Sequence, residues 1–307
     1  MPRRLTLNEG RDFPAAWTAD SMAVVFVSNR NGQWQLFRQS IDSEAPEPIV
    51  KPPENEAERT EAGEFNPTIP RISPDGAWVL YIVWKRGEGS PLSEELVHRD
   101  QWNWELMRVS VTGGSPQSVL TGSAAIIHSF RCARLPATLC LFAERTQDKK
   151  QLVFTAFDPV TGRGREFKRF ATEPAPDAQY EWDLSPDGTR LAILRCSETT
   201  VRLLGLNQQT SDSIVSTKSS SLETVDWTAD GKALLVSSLK EGGSALMRLD
   251  LHGNAQTLWE SKGTVEPGMT PFLAGPSVPW AVPSPDGRHL AICVWSLNAN
   301  MWMMENF

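Results

Sequence analysis

One four-residue turn recurs along the chain and limits what the chain can fold into. It stands at Thr18-Ala19-Asp20-Ser21, Ser73-Pro74-Asp75-Gly76, Ser185-Pro186-Asp187-Gly188, Thr228-Ala229-Asp230-Gly231 and Ser284-Pro285-Asp286-Gly287. A degenerate sixth copy is Leu135-Pro136-Ala137-Thr138. The first residues of successive copies lie 55, 62, 50, 43 and 56 positions apart. The turn has a physical basis: Pro presets φ at its first corner, Asp bonds local backbone, and Gly takes the positive φ that closes it.

Each turn is followed by an apolar run: Met22–Ser28, Ala77–Trp84, Leu139–Glu144, Arg190–Cys196, Ala233–Leu239 and His289–Ser296. A short polar break leads to a second strand of shared character, as in Gln35-Leu36-Phe37-Arg38, Glu105-Leu106-Met107-Arg108 and Ala245-Leu246-Met247-Arg248. A second turn and a more polar strand complete the unit. Four antiparallel strands, repeated radially six times, predict an all-β fold, a six-bladed β-propeller. No blade buries its faces alone, so the ring must be completed. The last unit stops at its third strand, Asn300–Phe307, and the first is preceded by an orphan strand, Arg4-Leu5-Thr6-Leu7. The N-terminal strand is therefore expected to complete the last blade and remove an exposed edge. Residues 1–307 read as one domain.

Composition agrees with this frame. The 307 residues are 40% apolar and 22% charged, with a net charge of −7, which marks an ordinary globular chain. The acidic balance argues against nucleic acid bound through bulk charge. No secretory signal and no run of 18 apolar residues stands out, so no membrane insertion is expected. As given, the chain would be cytoplasmic, or periplasmic within a longer chain. Cys132, Cys140, Cys196 and Cys293 lack paired metal-ligand spacing and read as buried free thiols. A Cys132–Cys140 bridge is not expected, because their register is open by one residue.

Ser-Pro-Asp-Gly turns in repeating units resemble the TolB-type, WD-like propeller repeats of bacteria over essentially the whole chain. The ending Asn300-Met301-Trp302-Met303-Met304-Glu305-Asn306-Phe307 is also similar to the tails of propeller modules fused to bacterial kinases or winged-helix regulators. That resemblance implies a sensor or protein-interaction role. The third unit departs from the pattern at Leu135-Pro136-Ala137-Thr138.

Propeller geometry sorts the loops. The turns after the first and third strand of each unit share one face, which is trim apart from Thr161–Arg165. The other face carries Lys51–Asn66, Lys85–Asn103, Ala171–Ala178 and Ser261–Ser277. Function concentrates on such loops, so this face is expected to bind the partner near the central channel. In Lys85–Asn103, Ser90 and Pro91 open a short helix, and His98, Arg99 and Trp102 follow as candidate anchors.

The innermost strands add His128, Arg131, Glu181, Asp183, Glu223 and Asp226 as channel residues. Glu181 and Asp183 share a face by strand alternation, whereas Glu223 and Asp226, three apart, are expected to face apart. A metal reading of these carboxylates with His128 is set aside for channel polarity and bonding between blades. Trp17, Trp182, Trp227 and Trp280 read as packing rather than a sugar platform. Residues 42–66 carry a net −6 and residues 131–170 a net +5, an uneven field that would steer a charged partner.

Gly-x-Ser-x-Gly and His-Glu-x-x-His are absent, and His98, His128, His252 and His289 are dispersed. No catalytic residue, metal or cofactor is assigned. The preferred reading is a monomeric, non-catalytic interaction or sensing module for a protein or peptide partner. The alternative is a propeller enzyme of lyase, lactonase or glycosidase type, or a carbohydrate binder, using channel-mouth carboxylates.

Overall fold

A computed structural model describes residues 2–7, 10–50, 70–86, 102–123, 127–173, 178–218, 221–240, 243–262, 278–294 and 300–305. The first strand, β1 (Arg3–Arg4), stands apart from the first blade. Blade 1 is β2 (Asp12–Trp17), β3 (Ala23–Ser28), β4 (Gln35–Ser40) and β5 (Glu47–Pro48). Blade 2 is β6 (Arg71–Ile72), β7 (Trp78–Arg86), β8 (Trp102–Ser110) and β9 (Gln117–Ser123). Blade 3 is β10 (Ile127–Cys132), β11 (Cys140–Arg145), β12 (Gln151–Asp158) and β13 (Gly162–Ala171). Blade 4 is β14 (Tyr180–Leu184), β15 (Arg190–Arg195), β16 (Thr200–Gly205) and β17 (Ser213–Ser216). Blade 5 is β18 (Leu222–Trp227), β19 (Ala233–Lys240), β20 (Gly243–Asp250) and β21 (Ala255–Lys262). Blade 6 is β22 (Trp280–Pro283), β23 (His289–Val294) and β24 (Asn300–Glu305), joined at its outer edge by β1.

The expected closure is present. Arg3 pairs with Met303 and Arg4 with Trp302, so the start of the chain supplies the fourth strand of blade 6. Arg3 and Leu5 lock this segment against blade 1: the Leu5 carbonyl accepts Gln39 Nε2 at 2.7 Å, and Arg3 Nη2 donates to the Ile41 carbonyl. The paired segment is shorter than the sequence pattern implied, ending before Leu5, whose side chain turns into the core instead.

Six buried apolar clusters hold the ring together, one at each interface between neighbouring blades. Leu36 and Tyr81 share the cluster between blades 1 and 2, and Leu106 and Phe142 that between 2 and 3. Phe154 and Trp182 join blades 3 and 4, and Val201 and Trp227 join 4 and 5. Leu235 and Ile292 join 5 and 6, and Phe26 and Ala291 close 6 onto 1. This arrangement explains the continuous apolar runs. A second strand such as β3, buried at all six positions, is covered on both faces by adjacent blades and has no reason to alternate. The inner-strand tryptophans are packing residues: Trp17, Trp182 and Trp227 are nearly fully buried, and Trp17 Nε1 donates to the Val282 carbonyl of blade 6 at 2.9 Å.

The recurring turn is a small lock. In each of the five full copies the Ser or Thr hydroxyl donates to the Asp carboxylate two residues on, as in Thr18–Asp20 at 2.6 Å and Thr228–Asp230 at 2.7 Å. The same hydroxyl accepts the backbone N–H five residues on, and the Asp accepts the N–H after the corner. Gly76, Gly188, Gly231 and Gly287 take φ between 64° and 76°. Ser21 adopts φ 63° in the glycine position and its hydroxyl accepts the Asp286 N–H at 3.1 Å, tying the first turn to the last.

Two expectations need correction here. Cys132 and Cys140 face each other directly across β10 and β11 and form a disulfide, leaving Cys196 and Cys293 as the free thiols. The third turn runs one residue longer than the others, with Ala133 N–H reaching the Leu139 carbonyl, and this extra residue sets the register that places the two sulfurs opposite. The stretch at Thr161–Arg165 is no loop either: Gly162 already opens β13, and Asp158 caps a tight turn by accepting the Val160 and Thr161 N–H groups at 2.7 Å.

Candidate functional site

The inner strands carry charge at one repeated position. Two residues before the start of each turn, which in blade 3 is Ala133 rather than Leu135, lie Arg71, Arg131, Asp183 and Asp226 in blades 2 to 5, with Ala16 and Val282 at the same offset in blades 1 and 6. Two cationic blades therefore neighbour two anionic ones around the axis. Glu181 adds a carboxyl on β14, and Arg134 adds a guanidinium from the long turn of blade 3.

Among the described residues of this group, Arg131 and Asp183 form the one tight pair, Nε to Oδ1 at 3.1 Å, with side chains 7% and 14% exposed. The second oxygen of Asp183 accepts the Trp227 backbone N–H at 2.7 Å. One carboxylate thus joins blades 3, 4 and 5. The Arg131 guanidinium also lies 5.5 Å from the Trp182 ring centre and donates to the Phe130 carbonyl. A buried charge needs several partners at once; Arg131 has the ion pair, the ring and one carbonyl, although its Nε makes no hydrogen bond.

The other charges have no ion pair among the described residues. Arg71 donates to the Ala15 and Pro70 carbonyls at 3.0 and 3.2 Å. Arg134 reaches across the axis to the Pro283 carbonyl of blade 6 at 3.5 Å, and its Nη1 is buried without a partner. Burial and then the neighbouring Arg131 pull Arg71 down to about 9, and burial lowers Arg134. Burial raises Glu181 against the pull of Arg131 and Arg71. Burial and then the Asp183 carboxylate push Asp226 up to about 7. As whole residues, Arg71, Arg134, Glu181 and Asp226 are half-buried.

Of the residues singled out in the sequence, Arg131, Glu181, Asp183 and Asp226 are brought together. Trp102 and His128 are placed by their backbones alone: Trp102 opens β8 opposite Arg86, at the loop-bearing end of blade 2. His98 and Arg99 lie outside the described residues, as does the short helix expected from Ser90. The rule that Glu223 and Asp226 face apart does not hold. The register of β18 against β19 slips between Leu222 and Thr224, so Glu223 is an extra residue that resets the alternation. Leu222 and Val225, also three apart, enter one apolar cluster for this reason. Glu223 instead accepts the Ser197 hydroxyl at 3.3 Å, and burial raises its carboxyl. Arg71 and Arg134 escaped the sequence reading. The two-residue offset before Ser73 would have found Arg71.

A cleft of about 180 Å³ opens between blades 3 and 4 at the loop-bearing end. Phe170, Tyr180 and Ile193 form its apolar wall. Arg195 stands on its rim, bonded to Glu173 at 2.8 Å and Glu198 at 3.0 Å. Among the described residues no three of His, Cys, Asp and Glu gather closely enough to hold a metal ion, and no helix is long and apolar enough to cross a membrane.

Six four-stranded blades closed by the first strand define a TolB-type β-propeller fold. No family model and no curated protein matches the sequence. Among solved structures, TolB from Acinetobacter baumannii is similar at 16% identity and TM-score 0.56, over 83% of this chain and 55% of that one. This chain thus spans little more than half the length of that TolB. Putative TolB from Agrobacterium tumefaciens matches at 14% identity and TM-score 0.56, over 97% and 91% of the two chains. An oligogalacturonate lyase in complex with manganese matches at 11% identity and TM-score 0.57, over 98% and 92%. At these identities the likeness is one of fold.

Proposed function

We propose that this propeller is a non-catalytic interaction module that receives a protein or peptide partner on its loop-bearing end. The observation that carries the reading is the engagement of Asp183. The carboxylate best placed for channel chemistry is held by Arg131 on one oxygen and by the Trp227 N–H on the other, so it braces three blades. A nucleophile or proton carrier needs a free oxygen facing its substrate. The two ends of the ring also differ. One bears locked turns and is spanned by Arg134; the other bears the long connections, the start of β8 at Trp102 and the cleft between blades 3 and 4. The alternative, a propeller enzyme or carbohydrate binder, would have to use Glu181 and Asp226, the channel carboxyls that Arg131 does not hold.

The test is affinity capture with the intact chain, with Trp102→Ala, and with Lys232→Ala in the turn at the opposite end. The reading expects one specific partner, retained by Lys232→Ala and reduced at least tenfold by Trp102→Ala. A partner captured equally by both variants would place binding elsewhere.

A further inference from the structure

Around the axis, the charges that remain unpaired are sorted by sign. Arg71 and Arg134, from blades 2 and 3, bond only to backbone carbonyls and have no carboxylate within ion-pair distance among the described residues. Glu181 and Asp226, from blades 4 and 5, have neither a hydrogen bond nor an ion pair among the described residues. Arg131 and Asp183 lie between the two groups and neutralise each other. The long turn of blade 3 contributes directly to this arrangement. Where the other turns carry Ala19, Pro74, Pro186, Ala229 and Pro285, it carries Arg134, whose Nη1 is buried without a partner.

A lone anion would satisfy the guanidiniums and leave two carboxyl groups facing it. A metal ion would find no set of three ligands among the described residues and would sit beside guanidiniums. A group with both a carboxylate and an ammonium answers both sides and leaves the charge of the ring unchanged.

We propose that the axis of the propeller binds a small zwitterion of the free amino acid or short peptide class. Its carboxylate lies toward Arg71 and Arg134, and its ammonium toward Glu181 and Asp226. This proposal rests on other residues than Trp102, so its failure would leave the partner reading standing.

Titration calorimetry on the intact chain tests it, with glycine and triglycine as zwitterions and with triglycine amide and N-acetyltriglycine as blocked controls. At least one zwitterion is expected to bind, and glycine against triglycine tells a free amino acid from a peptide. If triglycine binds, blocking either end should weaken it at least tenfold. If glycine alone binds, glycinamide and N-acetylglycine serve in the same way. Arg134→Gln and Asp226→Asn should each weaken binding at least tenfold, while Lys232→Gln leaves it unchanged. If a variant fails to fold by circular dichroism, the blocked ligands on the unaltered chain decide. No heat from either zwitterion at millimolar concentration, or equal binding of a blocked form, overturns the proposal.

Discussion

Arg131 and Asp183 meet at 3.1 Å across the boundary between blades 3 and 4, and the same carboxylate holds the backbone of Trp227 in blade 5. Removing one partner strands the other as a buried charge. Asp183→Ala is therefore expected to destabilise the fold by about 3–5 kcal/mol. Replacing both, as Arg131→Met with Asp183→Leu, should cost less than the Asp183→Ala change alone. Urea unfolding of the variants and the parent measures both effects, and a double variant destabilised more than Asp183→Ala would contradict the pairing.

Asp226 makes stability depend on pH in an identifiable direction. Its carboxyl is raised to about 7, first by burial and then by Asp183, above the ordinary value of 3.8. A raised folded value means the folded state holds the proton more tightly. The stabilisation is complete below about 4 and is lost as pH rises toward 7. Asp226→Asn should remove that slope, so the gap between variant and parent should shift in favour of the variant from pH 4.5 to pH 8. Thermal melts at several pH values provide the check.

Asp20 gives the opposite sign at lower pH. The Thr18 hydroxyl, then the Met22 N–H, hold its carboxyl below the usual 3.8. Stability from this lock is present above the ordinary value and is lost as pH falls through the lowered one. Thr18→Val removes the leading cause, and its acid-unfolding midpoint should move to higher pH than the parent's.

Gly122 is required by packing rather than by backbone shape. It pairs across the sheet with Trp104, and a Cβ there would collide with the buried indole. Gly122→Ala should destabilise by about 1–3 kcal/mol, as overpacking does. Denaturant midpoints with an unchanged slope would confirm a native-state effect.

The disulfide predicts a thiol count. Denatured without reductant, the chain should alkylate only at Cys196 and Cys293, and at all four cysteines after reduction. In the folded protein both free thiols should react slowly, because burial raises each; Cys293 is pushed up to about 12. Four reactive thiols without reduction would contradict the bridge.

The architecture was readable because each blade announces itself twice, by a hydroxyl–aspartate turn and by the apolar strand after it. Ring closure followed from the loose strands at the two ends. The channel was only half readable. Asp183 and Asp226 stood out on well-marked inner strands, whereas Arg71 lies on a two-residue strand that shows no alternation. Arg134 and the Cys132–Cys140 bridge both depend on one extra residue in a turn, which shifts register without altering the local pattern. The bulge at Glu223 is invisible to any count by twos. The candidate anchors His98 and Arg99 fall outside the described residues, so their part remains a proposal from sequence.

The most direct test compares partner capture by the Arg131→Met, Asp183→Leu double variant and by Trp102→Ala, each first shown to be folded by circular dichroism. If binding belongs to the loop-bearing end and the channel pair is a brace, the double variant keeps its partner and Trp102→Ala loses at least tenfold. Loss in the double variant with full capture by Trp102→Ala would move the functional site into the channel and contradict the account.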